Sequence, residues 1–236
     1  MPKLNFLKYF LSLFIITVIL SCGDLGFNRP SKESYPVSGI DVSHHQGDID
    51  WDKVSQEDFA FVYIKATEGE EFKDSLYRFN NKNAVRVGFK TGAYHFYLAS
   101  KDPLKQAENF IKSVPKGSVQ LPPVLDIEFP PDMATEKDKS KLIGEIYMCL
   151  YKLKNYYGKT PVIYTDYDCY DNYLKPEFKD FDFWIRDIHD TPQFSDRRSW
   201  LFWQHSNKGL VNGISGLVDL NVFNGSGKLF DSLYAK

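Results

Sequence analysis

The sequence predicts an α/β fold: a small, irregular (β/α) barrel of TIM-barrel type, with eight strands and some crossovers that are short or lack a helix. Three observations carry this expectation. Eight short runs rich in apolar, β-branched or aromatic residues recur from Val37 onward. Helical patterns separate several of them, and strands alternating with helices argue a parallel sheet that eight strands can close. The stretch is only about 200 residues, which is short for such a barrel, so it cannot carry a full helix in every crossover.

The runs come in order as "SGIDVS", "FAFVYIKAT", "TGAYHFY", "PPVLDIEF", "TPVIYT", "FDFWIRDI", "WLFWQHS" and "LVDLNVFN". The second and third are separated by "DSLYRFNNKNAVRVG", a helix pattern. "DPLKQAENFIKSV" supplies a helix before the fourth run. "TEKDKSKLIGEIYMCLYKLKNYYG" supplies the longest, opening at Thr135 as N-cap and ending at Gly158. Only "NKGLVNGISG" lies between the last two strands, which predicts a hairpin-like connection and breaks the regular pattern.

In "PPVLDIEF", Pro122 and Pro123 punctuate a loop, and Val124, Leu125, Ile127 and Phe129 read as a strand. Alternation puts Asp126 and Glu128 on one face, about 7 Å apart along the backbone. Two like charges held side by side raise the pKa of one of them, so one carboxyl stays protonated beside an ionised neighbour. Two exposed loop acids would look the same in isolation. Polar residues also mark the other runs: Asp41, Lys65 and Glu68, Tyr94 and His95, Tyr164, Arg186, Gln204 and Asp219. The C-terminal mouth of such a barrel carries the active site. Closure brings the first strand beside the last, so Asp41, Asp126, Glu128 and Asp219 are expected to converge there.

Residues 1–21 stand apart. Lys3 and Lys8 precede an apolar run from Phe10 to Leu20, which describes a secretory signal rather than a spanning helix. The closing "ILSC" resembles a bacterial lipobox, which implies a lipid attached to Cys22. Residues 22–36 then read as a polar tether and 37–236 as the barrel domain. The expected location is the cell envelope, exported and anchored to a membrane through Cys22. The chain's formal charge of −2 becomes −4 once Lys3 and Lys8 are removed. It carries no basic run or nucleic-acid motif, so nucleic-acid binding is set aside. Cys149 and Cys169 have no metal spacing. His44 and His45 read as a hydrogen-bonding loop pair rather than ligands, and His95 as a buried polar contact. No metal and no cofactor is expected, and the chain is read as a monomer.

"GIDVSHHQGDIDW", "FVYIKATEG", "GAYHFY", "PPVLDIE", "PVIYT", "FWQHS" and "VDLNVFNG" resemble, in this order, the signature segments of the glycoside hydrolase family 25 lysozymes. The resemblance runs from about Gly39 to Gly225. It implies cleavage of the β-1,4 bond between N-acetylmuramic acid and N-acetylglucosamine, with peptidoglycan glycan strands as partner. It further implies Glu128 as general acid and Asp126 as its catalytic partner, either a nucleophile or an orienter of the substrate's own acetamido group. Asp41 and Asp219 take supporting acidic positions, and Tyr94 lines the reacting subsite. Tyr164, Trp184 and Gln204 complete the expected substrate contacts. One departure stands out. Many members carry Ala and Tyr after the sixth-strand tryptophan, where this chain has Arg186, Asp187 and Ile188. Two other readings fit a barrel of this kind, a glycan-binding protein without catalysis and a hydrolase of another amino sugar polymer such as chitin.

Overall fold

A computed structural model describes residues 30–129 and 139–234. The signal segment, Cys22, the first part of the tether and Thr135 lie outside the described residues.

Nine strands form one sheet. They are β1 (Ser38–Val42), β2 (Phe61–Glu68), β3 (Phe72–Lys73), β4 (Lys90–Phe96), β5 (Val124–Asp126), β6 (Val162–Thr165), β7 (Asp182–Arg186), β8 (Phe202–Gly209) and β9 (Val218–Phe223). Because β1 pairs with both β2 and β9, all except the two-residue β3 close into an eight-stranded barrel. Every predicted run contributes one barrel strand. The helices are α1 (Trp51–Val54), α2 (Tyr77–Arg86), α3 (Pro103–Ser113), α4 (Lys139–Tyr157), α5 (Tyr167–Cys169) and α6 (Gly227–Ser232). The described residues between β7 and β8 form no helix although the two strands are parallel.

The irregularity falls where the short final connection put it. β9 runs antiparallel to both β8 and β1. This corrects one detail of the sequence reading, which grouped Asp219 with residues at the carboxyl ends of their strands. Asp219 is the second residue of β9. It reaches the same mouth because its strand runs backwards.

The barrel has two apolar layers. Inside, Phe61, Tyr63, Val124, Val162, Trp184, Phe202 and Phe223 pack into one cluster that fills the lower barrel. Outside, the strand residues of opposite parity pack against α2, α3 and α4 in a larger cluster. Two glycines make the inner packing possible. A Cβ on Gly39 would stand 2.6 Å from the Phe61 ring, and one on Gly92 would stand 2.1 Å from the Tyr63 ring. Glycine at these positions yields space to aromatic side chains on the neighbouring strand.

A bulge in β2 sets a further choice of face. Lys65 lies opposite Tyr94, but Thr67 lies opposite His95, so one residue is gained between them. Lys65 keeps the inward parity of Phe61 and Tyr63 and lines the barrel mouth, while the extra residue turns Thr67 away. Thr67 Oγ1 and His95 Nδ1 then meet at 2.7 Å, with His95 Nε2 3.3 Å from Gln106 Oε1 of α3. His95 is fully buried, as the sequence reading expected of a structural histidine. Residues from the second part of the tether lie on the barrel. The Tyr35 ring sits 5.6 Å from Trp200 and 5.8 Å from Trp203.

Candidate active site

The upper barrel changes chemistry because the next inward positions on each strand are polar. They line a pocket of about 310 Å³ that contains all four acids, Asp41, Asp126, Glu128 and Asp219. Asp41 comes from β1, Asp126 from the last position of β5, and Asp219 from β9. Glu128 lies just past the end of β5, where the Ile127 amide still donates to the Tyr164 carbonyl at 2.9 Å. That bond keeps the chain extended, so Asp126 and Glu128 both reach the pocket as alternation requires.

A continuous hydrogen-bond network fixes the floor. The Trp184 indole N–H donates to Asn221 Oδ1 at 2.9 Å, and Asn221 Nδ2 donates to Asp41 Oδ1 at 2.7 Å. From the other side the Tyr164 hydroxyl donates to Gln204 Oε1 at 3.0 Å, and Gln204 Nε2 donates to the same Asp41 oxygen at 3.1 Å. An indole can only donate, so Trp184 dictates which way the Asn221 amide points. Asp41 is thus gripped by two strands, β8 and β9. Asp126 differs. Its Oδ1 is buried and has no hydrogen-bond partner among the described residues.

Burial governs the charge states. It pushes the Asp41 carboxyl up to about 8, assisted by the Asp219 charge and opposed by the Asn221 and Gln204 donors. Asp126 lies well above the usual carboxylate range through burial first and the Glu128 charge second. Glu128 is raised by burial and by Asp166, while Arg186 pulls it back. Asp219 rises to about 6 by burial, again opposed by Arg186. The sequence reading gave Glu128 the proton and left Asp126 charged. Burial raises both, and the two carboxyls titrate as an interacting pair.

Residues 40–214 match the family described as glycosyl hydrolases family 25. The chain belongs to that family. Its fold resembles the structure of a family 25 glycosyl hydrolase from Bacillus anthracis, with a TM-score of 0.82 and 35% identity over 89% of this chain and 97% of that one. The bacterial lysozyme from Streptomyces coelicolor gives a TM-score of 0.76 and 33% identity, covering 84% of this chain and 96% of the other. Lysozyme M1 of Streptomyces globisporus is 36% identical over 205 residues, 80% of this chain and 68% of its own length.

In this family 25 chain the structure brings together every site residue named from sequence within the described part. Tyr94, Tyr164, Trp184 and Gln204 all line the pocket with the acids. Trp184 is only 1% exposed and Gln204 3%, so they form the floor and the brace rather than open surfaces. Trp203 is not in the pocket wall; its indole donates to the Asp187 carbonyl at 2.6 Å. Lys65 also lines the pocket, held by Glu68 Oε2 at 2.7 Å and flanked by the Phe96 ring. Its ion-pair partner is Glu68 rather than one of the four acids. Asn221 escaped sequence reading. Its signal was present, since it sits two residues after Asp219 and shares its strand face. Among the described residues no three His, Cys, Asp or Glu side chains are arranged to hold a metal ion.

Proposed function

We propose that the protein is an exported muramidase that hydrolyses the β-1,4 bond between N-acetylmuramic acid and N-acetylglucosamine, with Glu128 as general acid and base and Asp126 as its partner. The observation that carries this reading is the orphaned Asp126 oxygen beside a raised Glu128 in a polar pocket of a family 25 chain. Leaving a buried carboxylate oxygen unpaired is unfavourable, and a substrate N–H or the reacting sugar carbon supplies what it lacks.

In the first step Glu128 donates its proton to the glycosidic oxygen, and the C1–O bond of the muramyl residue breaks through an oxocarbenium-like state. Asp126 either bonds to C1 or holds the 2-acetamido group so that its oxygen does so. In the second step water attacks C1 and displaces the Asp126 carboxylate or the acetamido oxygen, the ionised Glu128 takes the water's proton, and the new reducing end is released. Asp41 and Asp219 supply polar contacts to sugar hydroxyls and set the charge of the pair. Tyr94, Tyr164, Trp184 and Gln204 shape the subsite.

For the chain ends, a signal over residues 1–21 and a lipid at Cys22 place the barrel on a membrane of the cell envelope, within reach of the wall polymer. Tethering raises the local concentration of an acidic enzyme beside an anionic polymer. The test is mass spectrometry of purified peptidoglycan digested by the wild type and by Glu128→Gln. Fragments with reducing N-acetylmuramic acid ends are expected from the wild type alone. Intact polymer from a folded wild type that still binds the wall overturns the catalytic reading, and chitin fragments in place of muramyl ones overturn the substrate.

A further inference from the structure

The pocket is crowded with acids, yet the polymer it is read to cut is itself anionic. A carboxylate carried by the substrate meets four carboxyls at the mouth of this barrel, and only cations in the wall can offset them. Two cations line the pocket, Lys65 and Arg186. Lys65 is already bound to Glu68 at 2.7 Å. Arg186, the last residue of β7, makes no salt bridge or side-chain hydrogen bond with a described residue, and its charge acts on Glu128 and Asp219 only through space. It is half-buried and borders both the catalytic pocket and the neighbouring cleft lined by Tyr167, Asp187 and His189. The acid nearest it in sequence is otherwise engaged. Asp187 Oδ2 accepts from the Tyr167 hydroxyl, and its Oδ1 accepts from the amides of His189 and Asp190. The guanidinium therefore offers its planar donor fork to the pocket, which suits a carboxylate better than a sugar hydroxyl.

We propose that Arg186 is a specificity residue that binds a carboxylate on the muramyl side chain of the bound strand, and so selects substrate sugars that carry one. This rests on the muramidase reading above. Two sources supply the same chemistry: the lactyl carboxylate of a strand without peptide, and the free carboxylates of an attached stem peptide. The lactyl group is bonded directly to the sugar, whereas the stem carboxylates lie further along the peptide.

The experiment measures kcat and KM of the full-length protein on two matched pairs of purified strands. In the first pair the stem peptides have been removed enzymatically, and the lactyl carboxylates are either free or converted to methyl amides. In the second pair the stems remain, with their carboxylates free or amidated. The wild type is expected to favour the free form of one pair by about tenfold in kcat/KM, through KM, as befits one charge-assisted contact. Which pair shows the preference identifies the source. Arg186→Ala is expected to abolish that ratio, and Arg186→Lys to restore part of it. Equal activity of the wild type on both members of both pairs overturns the proposal while leaving the muramidase reading intact. A uniform fall in kcat for Arg186→Ala, with the ratio preserved, also overturns it and assigns Arg186 to the charge of Glu128 and Asp219 alone. No cleavage of any strand by the wild type removes both readings.

Discussion

Asp41 and Asp219 stand directly opposite each other in the antiparallel pairing of β1 with β9. Directly opposed like charges repel, and here the repulsion is added to burial. The pair can exist at the mouth of the barrel because Asp41 keeps its proton near neutral pH while Asp219 ionises. The reversed last strand thus does more than close the sheet. It places a fourth acid where a parallel strand would have put it at the far end.

This arrangement makes stability depend on pH with a definite sign. Asp41 titrates near 8 in the folded chain against an ordinary 3.8. Between those values the folded protein keeps a proton that the unfolded chain has lost, so the contribution of this group is complete below about pH 4 and disappears as pH rises towards 8. Asp41→Asn removes the titration, while its oxygen still accepts from Asn221 and Gln204. The variant is expected to melt above the wild type at about pH 8, by on the order of 2–4 °C per kcal/mol gained, and the margin should shrink at about pH 5. A margin that does not change with pH would refute the assignment of the charge.

Asn221 joins Trp184 to Asp41, so its loss strands a donor and removes a donor from an acid at once. Asn221→Leu is expected to lower unfolding free energy by about 1–3 kcal/mol. Urea titration followed by tryptophan fluorescence reads this directly. An unchanged midpoint would mean that the network is ornamental.

Both routes open to Asp126, direct attack or guidance of the acetamido group, invert C1 twice. Retention of configuration is therefore expected. Proton NMR of the first product formed, before mutarotation, distinguishes the anomers. The β anomer supports the double displacement, and the α anomer excludes it.

On the proposed lipidation of Cys22, Cys22→Ser is expected to release the protein from the membrane fraction, because the substitution removes the site for acyl chains. Its rate on isolated peptidoglycan should match the wild type. Retention of Cys22→Ser in washed membranes would rule out lipidation as the cause of attachment.

Much of this site was legible in the chain because strands alternate. Asp126 and Glu128 in "LDIE" announce a shared face, whereas the need for glycine at Gly39 and Gly92 shows only once the neighbouring aromatic rings are in place. Asn221 was just as available by alternation but carries no charge, and an amide on a strand looks like many others. The role of Gln204 was hidden for another reason. A side chain that faces a sugar and one that braces Asp41 have the same sequence signature.

By itself the sequence determined that eight strands alternate with helices, that the last pair must be joined by a short connection, and which acids sit on the inward faces. Those properties follow from local periodicity and composition. Only the tertiary structure decided that Asp219 opposes Asp41, that Lys65 is held by Glu68, and that Arg186 lines the pocket beside Glu128 and Asp219. Strand direction, a bulge in β2 and the burial of each carboxyl fix these outcomes, and all three depend on partners distant in the chain.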